Sequence, residues 1–386
     1  MRRLAGLLMA GWMLMAAGCA PEEAPVPAET GGIVSESPAA ADTPVSTDAP
    51  VQKSALAQIV DDMTLEEKVG QMFIARCPET DAASLAGEYQ LGGYILFARD
   101  FENSSPEQLK NTLESYQEQT ELPLFIGVDE EGGTVVRTSR YQQFRDERFA
   151  SPQALYQQGG FDAVAADARE KSEFLLGLGI NLNFAPVCDV SQNPEDFIYA
   201  RAFGKDAAAT AEYVRVVVEA MDAAGIGSVL KHFPGYGDNV DTHTGVAHDQ
   251  RSYETFRRSD FLPFEAGIEA GAGMVLVSHN IVECMDADYP ASLSKNVHDI
   301  LREELGFDGV VITDDLAMDA IGEFAGDNEA AVLAVQAGND MLCCTDFQTQ
   351  IPAVVQAVRD GTVAEERIDA SVLRILKLKE RLDILE

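Results

Sequence analysis

A short polar segment in the middle of the chain carries residue types suited to acid–base chemistry. It occupies residues 231–243 and reads KHFPGYGDNVDTH. An apolar run at residues 228–230 precedes it, so Lys231 and His232 fall at the predicted end of a strand, and the proline and glycines that follow predict a loop. Near the end of this loop, Asp241 lies two residues before His243. An unperturbed imidazole titrates near pH 6.5, and a neighbouring carboxylate stabilises its cationic form and orients the ring, so this pair could donate and accept a proton.

Polar side chains also follow the other short apolar runs of the chain. With residues 228–230 there are eight such runs, the others being 69–75, 93–97, 124–128, 180–187, 274–277, 310–312 and 341–343. The polar residues at their carboxyl ends are Arg76, Arg99, Asp100, Asp129, Glu130, Glu131, Asp189, Lys231, His232, Ser278, His279, Asp314, Asp315 and Asp346. On a parallel barrel these ends converge on one mouth, which predicts a single polar site there.

The segments between the apolar runs have helical patterns. A Thr-x-x-Glu capping box at Thr64 opens a short helix, and helical periodicity marks residues 207–224, 328–337 and a closing helix around Ile368, Val372 and Ile375. The alternation of strand and helix predicts an α/β fold of the (β/α)8 TIM-barrel type, with residues 55–386 as a single catalytic domain. A doubly wound sheet fits less well, because polar residues follow nearly every strand at its carboxyl end.

Composition and charge narrow the possible partners. The chain has 386 residues, of which 46% are hydrophobic, enough to bury a large core. With 28 Lys and Arg residues against 64 Asp and Glu, the formal charge is -36, and such a surface repels nucleic acid. Beyond residue 19 the cysteines are Cys77, Cys188, Cys284, Cys343 and Cys344. Their odd number and lack of zinc spacing predict free thiols, most of them buried, and no metal site or cofactor is expected.

The first 54 residues have the pattern of a targeted and tethered protein. Arg2 and Arg3 precede an apolar run that ends in small residues, so residues 1–18 are predicted to be a signal peptide. Cys19 follows as the expected lipid-attachment site, and residues 19–54, rich in Pro, Ala, Ser, Thr and acids, are predicted to be a disordered tether. We therefore expect a protein of the cell envelope, anchored by its N-terminal lipid on the outer face of the membrane. The alternative is a plain secretory signal and a secreted protein.

Residues 63–382 resemble the β-N-acetylhexosaminidases of glycoside hydrolase family 3, the NagZ-like enzymes. The resemblance is carried by ten motifs in order: MTLEEKVGQMF, GGYILF, VDEEGGTVVR, NFAPVCDV, RAFG, KHFPGYGDNVDTH, MVLVSH, PASLS, LGFDGVVITDDLAM and AGNDM. It implies a retaining exo-β-N-acetylglucosaminidase acting on terminal N-acetyl-β-hexosaminides of muropeptides or chitin-type oligosaccharides.

The resemblance also implies roles for particular residues. The family nucleophile falls on Asp314, after the seventh strand, and the Asp-His dyad with its histidine general acid/base falls on Asp241 and His243. The positions that match sugar-binding residues of the family are Asp129, Arg137, Arg201, Lys231 and His232.

The sequence departs from the family pattern in the catalytic loop. Tyr236 replaces the second histidine of KHFPGHG, and the stretch from Gly237 to Asp241 is one residue shorter than expected. These changes leave the dyad intact and bear on leaving-group specificity and loop closure. No second domain is expected after the barrel to supply an acid/base, so that role is expected to fall on His243.

Three other functions remain open at this stage. The chain could be a β-glucosidase or β-xylosidase of the same family, or a non-catalytic glycan-binding envelope lipoprotein. It could also be a metal-dependent hydrolase that uses Asp238, Asp241, His243 and His248, although these residues lack the regular spacing that fixes a metal site.

Overall fold

Eight parallel strands form the centre of the molecule. The computed structural model describes residues 53–237, 239, 247–322, 324–344 and 346–385. In chain order the strands of the described residues are β1 (Phe73–Arg76), β2 (Gly93–Leu96), β3 (Phe125–Val128), β4 (Leu182–Asn183), β5 (Gly227–Phe233), β6 (His248–Asp249), β7 (Met274–Val277), β8 (Ile281–Val282), β9 (Val310–Thr313) and β10 (Leu342–Cys344), of which β6 and β8 pair with each other in a separate two-stranded sheet. The sheet order is β10-β1-β2-β3-β4-β5-β7-β9, and a parallel bridge between Ile312 and Met341 links its two edges. The predicted (β/α)8 fold is confirmed.

Helices surround this barrel. They are α1 (Ala55–Asp62), α2 (Leu65–Gln71), α3 (Ala82–Tyr89), α4 (Ala98–Glu102), α5 (Pro106–Gln117), α6 (Pro152–Gly177), α7 (Ala207–Ala224), α8 (Tyr253–Thr255), α9 (Phe261–Glu269), α10 (Lys295–Asp299), α11 (Asp319–Gly322), α12 (Asp327–Ala337), α13 (Phe347–Arg359) and α14 (Glu365–Arg381). A π-helical turn, Phe256–Asp260, joins α8 to α9, and another, Ile300–Glu304, continues α10.

The barrel strands are short and almost entirely buried, and most of their residues are apolar, as expected for parallel strands covered on both faces. All four residues of β9, VVIT, are buried, and so are those of β3 and β7. Two predicted strands are shorter than the apolar runs that suggested them. The run at residues 69–75 begins inside α2, and only Leu182–Asn183 of residues 180–187 form a strand. In the second case Pro186 has no amide hydrogen for the ladder.

Local signals in the sequence define several helix ends as predicted. Thr64 and Glu67 form a complete capping box at the start of α2, and the pattern at residues 207–224 corresponds to α7. At the end of the barrel where the strands begin, buried Asp340 accepts a hydrogen bond from the amide of Val311 in β9 at 3.0 Å. Asp340 also pairs with Arg302 at 2.5 Å and with Arg374 of α14 at 3.2 Å. These contacts tie the start of β9 to the closing helix.

The predicted N-terminal features lie outside the described residues. They are the signal peptide, Cys19 and the tether up to residue 52. Within the described ranges, none of the helices combines the length and the apolar character needed to cross a membrane. Cys77, Cys188, Cys343 and Cys344 are buried free thiols, as expected for most of the cysteines, whereas Cys284 is an exposed one.

Candidate active site

A cavity of about 410 Å³ opens at the mouth formed by the carboxyl ends of the strands. Its volume lies within the range of about 300–1,000 Å³ usual for small-molecule sites. The residues that line it are Arg76, Ile95, Phe97, Asp129, Glu131, Val135, Arg137, Phe184, Phe197, Arg201, Lys231, His232, Tyr236, Leu276, Asp314, Asp315, Met318 and Cys343. Six of the eight residues predicted for catalysis or substrate binding are among them. Their roles stay predictions, but the structure brings them together.

Two carboxylates and a buried lysine form the floor of the site. Lys231, at the end of β5, contacts Asp129 Oδ1 at 2.7 Å and Glu131 Oε1 at 2.6 Å, both after β3. Glu131 also receives two hydrogen bonds from Arg201, at 3.0 and 2.8 Å. Arg137 completes the group, with its Nη2 atom 3.4 Å from Asp129 Oδ2. Such a network presents donors and acceptors in fixed directions, as recognition of sugar hydroxyl groups requires.

The cations keep both carboxylates ionised. Burial by itself would raise the pKa of Asp129, but Lys231 and Arg137 outweigh it and hold that pKa below its usual value. Burial would also raise the pKa of Glu131, but the charges of Arg201 and Lys231 outweigh burial. The pKa of Glu131 therefore lies far below its ordinary range. The floor therefore remains a set of paired charges throughout the physiological pH range.

Glu130, between these two acids in sequence, shapes the following loop instead of facing substrate. Its carboxylate accepts hydrogen bonds from the amides of Arg137 at 2.9 Å and Thr138 at 2.8 Å. Gly132, with a φ of +98°, allows the chain to turn back here, and a Cβ atom at this position would come within 2.3 Å of the Ala150 carbonyl oxygen. Glu130 thus holds the backbone that presents Arg137 to the cavity.

A hydrogen-bonded chain orients His232. Its Nδ1 atom lies 2.7 Å from Asp189 Oδ2, and its Nε2 atom lies 3.1 Å from Nη2 of Arg201. Because Arg201 can only donate, the ring nitrogen facing it accepts, and the proton resides on Nδ1 and is donated to Asp189. Asp189 is fully buried, and its other oxygen accepts the amide hydrogen of Tyr236 at 2.8 Å. Asp189 therefore orients the ring.

Asp314 stands at the end of β9, half-buried in the cavity wall. Its amide donates to the Val277 carbonyl oxygen at 2.9 Å, which continues the pairing of β9 with β7. Its Oδ1 atom accepts the amide hydrogen of Asp315 at 2.9 Å. The side chain thus reaches the cavity from the seventh barrel strand, where the resemblance places the nucleophile.

The predicted dyad, Asp241 and His243, lies outside the described residues, whereas residues 234–237, directly after β5, lie within them. Gly235 and Gly237 both adopt positive φ angles, and Arg251 packs against Gly237. Arg251 donates to the Gly235 carbonyl oxygen at 3.1 Å and pairs with the buried carboxylates of Asp249 at 2.6 Å and Asp260 at 2.9 Å. Burial raises the pKa of Asp260 to about 6 despite this pairing. The contacts of Arg251 therefore hold the first residues of the chain after β5 in place.

Tyr236, the residue that departs from the family pattern, is buried beside the site. Its ring meets the edge of the His232 ring, with centroids 5.2 Å apart, and lies 6.0 Å from the ring of Phe197, which is 39% exposed. The two aromatic residues form one wall of the cavity. An aromatic wall of this kind offers an apolar face to a sugar ring.

Some residues at predicted strand ends do not reach the cavity. Asp100, in the first turn of α4, accepts the amide hydrogen of Phe97 at 2.7 Å, and Asp346 directly precedes α13. Of the proposed metal ligands, only His248 is described, and it is exposed beside Glu283. Within the described ranges, no group of three or more potential ligands could hold a metal ion.

Other site residues were noted in the sequence as strand ends but given no binding or catalytic role. Glu131 completes the floor, while Arg76 and Asp315 form an ion pair in the cavity wall. Their contacts join elements far apart in the chain, and no local pattern indicates such pairs.

A parallel (β/α)8 barrel with a carboxylate and a paired-charge network at its mouth is the arrangement typical of enzymes that keep their active site at the carboxyl ends of the strands. Residues 64–378 match the glycosyl hydrolase family 3 N-terminal domain. The chain belongs to this family, as its motifs predicted.

Named relatives agree with this assignment. β-Hexosaminidase A of Pseudoalteromonas piscicida is 32% identical over 78% of this chain, which spans 55% of that protein. β-Hexosaminidase LpqI of Mycobacterium tuberculosis is 31% identical over 81% of the chain and 82% of its own length. A family 3 β-N-acetylglucosaminidase structure from Paenibacillus sp. superposes with a TM-score of 0.77 at 34% identity, covering 83% of this chain and 63% of that one.

Proposed function

We propose that this protein is a retaining exo-β-N-acetylglucosaminidase that hydrolyses terminal N-acetyl-β-hexosaminides. The observation that carries the proposal is the position of Asp314, which reaches the same cavity as the Asp129, Glu131 and Lys231 network. A nucleophile beside fixed donors and acceptors is the arrangement that glycoside cleavage requires. The named activities of the relatives support the same substrate class.

The first chemical step follows from the residue types. A carboxylate oxygen of Asp314 forms a bond to the anomeric carbon while the bond from that carbon to the leaving oxygen breaks. In the family pattern, His243 as imidazolium donates its proton to this oxygen, and Asp241 stabilises the cation. The product is a covalent glycosyl-enzyme and a free aglycone.

The second step reverses these roles. Neutral His243 accepts a proton from water, the water oxygen bonds to the anomeric carbon, and the ester bond to Asp314 breaks. Two inversions at the same carbon give net retention. Throughout, Lys231, Arg137 and Arg201 hold the sugar through groups whose charges do not change, so they can position both the substrate and the intermediate.

A panel of aryl glycosides tests this function. We expect the purified protein to hydrolyse 4-nitrophenyl N-acetyl-β-glucosaminide in preference to the β-glucoside and β-xyloside. Asp314→Ala should lower the rate by about 10⁴-fold or more with an unchanged melting temperature, because the other carboxylates described in the cavity, Asp129, Glu131 and Asp315, are held in ion pairs. A preference for glucoside or xyloside would favour the alternative activities of the family. A folded protein that is inactive on the whole panel would favour a glycan-binding lipoprotein.

We further propose that Cys19 carries a lipid that anchors the enzyme on the outer face of the membrane, where cell-wall glycans are substrates. The support is the predicted signal peptide before Cys19 and the tether after it. Cys19→Ser should move the full-length protein from the membrane fraction to the soluble fraction, because a lipid chain contributes about 0.8 kcal/mol per buried methylene. Equal membrane association of the variant and the wild type would place the anchor elsewhere, and a soluble wild type would indicate secretion.

A further inference from the structure

Arg76 and Asp315 form an ion pair inside the wall of the active-site cavity. Arg76 ends β1 and Asp315 follows β9, yet Arg76 Nη2 lies 2.6 Å from Asp315 Oδ2. The side chain of Asp315 is 12% exposed and that of Arg76 is 37% exposed. The electrostatic attraction in an ion pair is stronger when one of the two side chains is shielded from solvent than when both lie on the free surface.

Asp315 holds the carboxylate of Asp314 through its backbone. The amide of Asp315 donates to Asp314 Oδ1 at 2.9 Å. Two further contacts fix Asp315 itself: its Oδ1 accepts the amide hydrogen of Ala317 at 2.9 Å, and its carbonyl oxygen lies 3.0 Å from Nε2 of His279. The orientation of the Asp315 peptide therefore sets the direction of one hydrogen bond to Asp314 Oδ1.

Arg76 is itself held in place by packing. Its guanidinium lies 4.5 Å from the centroid of the Phe97 ring, a distance typical of cation–π contacts. Its Nη2 atom donates the hydrogen bond to Asp315. Its Nε atom is buried and has no hydrogen-bond partner among the described residues. The guanidinium is thus fixed between an aromatic ring and a carboxylate.

The pair also sets the local charge around the nucleophile. Two consecutive carboxylates, Asp314 and Asp315, would repel each other if both were ionised without compensation. The charged or titratable groups that face them from neighbouring elements include Arg76 of β1, Asp129 after β3, His279 after β7 and Cys343 of β10. Arg76 is the cation of this group with a direct bond to Asp315.

We propose that Arg76 and Asp315 act as a positioning pair that orients the Asp314 carboxylate and compensates the second negative charge beside it. This inference rests on the proposed function, because it assigns the pair a role in the step that Asp314 performs. Neither side chain forms a bond to substrate in this role. Arg76 acts through Asp315, and Asp315 acts through its peptide amide.

The test compares Arg76→Gln, Asp315→Asn and the double variant with wild type. The readout is the pH profile of kcat/KM for an activated aryl N-acetyl-β-glucosaminide, which reports formation of the glycosyl-enzyme. Arg99→Gln is the matched control. Arg99 stands at the same face of the barrel after β2 and also pairs with a carboxylate, that of Glu79 at 3.2 Å, but it lines a separate cavity. Melting temperatures exclude loss of fold as the cause of any change.

We expect Arg76→Gln to lower kcat/KM at neutral pH by about 10- to 100-fold, because a small displacement of a reacting group has effects of this size. The acid limb of its profile should move to higher pH by about one unit, since the unpaired Asp315 charge disfavours ionisation of Asp314. In the double variant the limb should return to the wild-type position while the rate stays low. Asp315→Asn alone should move the limb to lower pH, because the unpaired Arg76 charge then favours ionisation of Asp314.

Two results would overturn the inference. One is an Arg76→Gln profile equal to that of Arg99→Gln. The other is a limb that stays shifted in the double variant, because the shift would then not come from Asp315. Failure of the proposed function is distinguishable, because wild type would then show no N-acetylglucosaminidase activity or Asp314→Ala would retain it.

Discussion

The three consecutive acids Asp129, Glu130 and Glu131 show how the surroundings decide what a carboxylate does. Asp129 faces the cavity between Lys231 and Arg137, and Glu131 is shared by two cations. Glu130 instead accepts backbone hydrogen bonds. One short segment thus supplies two carboxylates that line the cavity and one that holds the following loop.

At the residue scale, the acid/base role proposed for His243 leads to a prediction. His243→Ala should lower the rate most for glycosides with poor leaving groups, which require protonation, and least for activated aryl glycosides. General acid assistance is typically worth about 10²- to 10⁴-fold. Rates measured across a series of phenols with different pKa values test this. A uniform loss across the series would mean that His243 only positions the sugar, and Tyr236 would then be the next candidate for proton donor.

Asp241→Ala should have a weaker form of the same effect. Without the carboxylate, the imidazolium of His243 loses stabilisation and its pKa falls. The first step of the proposed mechanism needs protonated His243, so the alkaline limb of the pH profile should move to lower pH. An unchanged pH profile would mean that Asp241 does not stabilise the imidazolium of His243.

At the scale of elements, the base of the catalytic loop depends on Gly237. Its φ is +57°, and a Cβ atom there would lie 2.4 Å from the guanidinium of Arg251. Gly361 also has a positive φ, +80°, but a Cβ atom added at that position would meet no neighbouring atom within 4 Å. Comparing alanine substitutions at the two glycines therefore distinguishes the effect of backbone strain from the effect of displacing Arg251.

We expect Gly361→Ala to cost about 1 kcal/mol of unfolding free energy and to leave activity unchanged, because it introduces only strain. Gly237→Ala should cost about 3 kcal/mol or more, because it also displaces Arg251 from the buried carboxylates of Asp249 and Asp260. Its activity should fall with the changed path of the loop. Denaturant unfolding and kcat/KM measure both effects. Equal behaviour of the two variants would show that Arg251 does not brace the loop.

At the scale of the whole molecule, a buried lysine makes stability depend on pH. Lys379 of α14 is completely buried where the strands begin, and its Nζ atom lies 2.7 Å from Gln71 Oε1 and 5.2 Å from the centroid of the Phe125 ring. Its hydrogen-bond partner there is a neutral amide, so no carboxylate charge opposes the effect of burial among the described residues. Burial lowers the pKa of Lys379 to about 7.

The free energy of unfolding should therefore rise with pH above about 7. In this range the folded protein has lost the Lys379 proton while the unfolded chain retains it up to about pH 10.4, so unfolding takes up a proton. The maximum slope from one such group is about 1.4 kcal/mol per pH unit. Below the folded pKa both states are protonated, and the contribution to the slope disappears.

Lys379→Met should remove this rise, because methionine fills similar space without a titrating group. The control is Lys377→Met, two residues away on α14, where the lysine is exposed. Urea unfolding between pH 7 and 9 gives the comparison, and the difference between each variant and wild type cancels the contributions of other groups. Parallel pH dependences for wild type and Lys379→Met would mean that Lys379 stays protonated in the folded protein.

The sequence alone predicted the barrel, the family and six of the residues that line the cavity. Apolar runs followed by polar residues are local patterns, and a strand in a parallel barrel must be apolar because helices cover its outer face and side chains fill its inner one. The motifs around Asp129, Lys231 and Asp314 lie at strand ends, so the order of the strands was enough to predict their convergence.

Only the tertiary structure decided which side chains pair. Arg76 with Asp315, Arg201 with Glu131, and His232 with Asp189 are separated by tens to hundreds of residues. The spacing of apolar and polar residues along the sequence does not indicate such contacts, because they depend on the register and closure of the barrel. The burial of Lys379 was equally hidden, since in a helix pattern a lysine reads as an exposed residue. The physical reason is the same in each case: pairing and burial are properties of the assembled barrel, whereas propensity and motif are properties of the local chain.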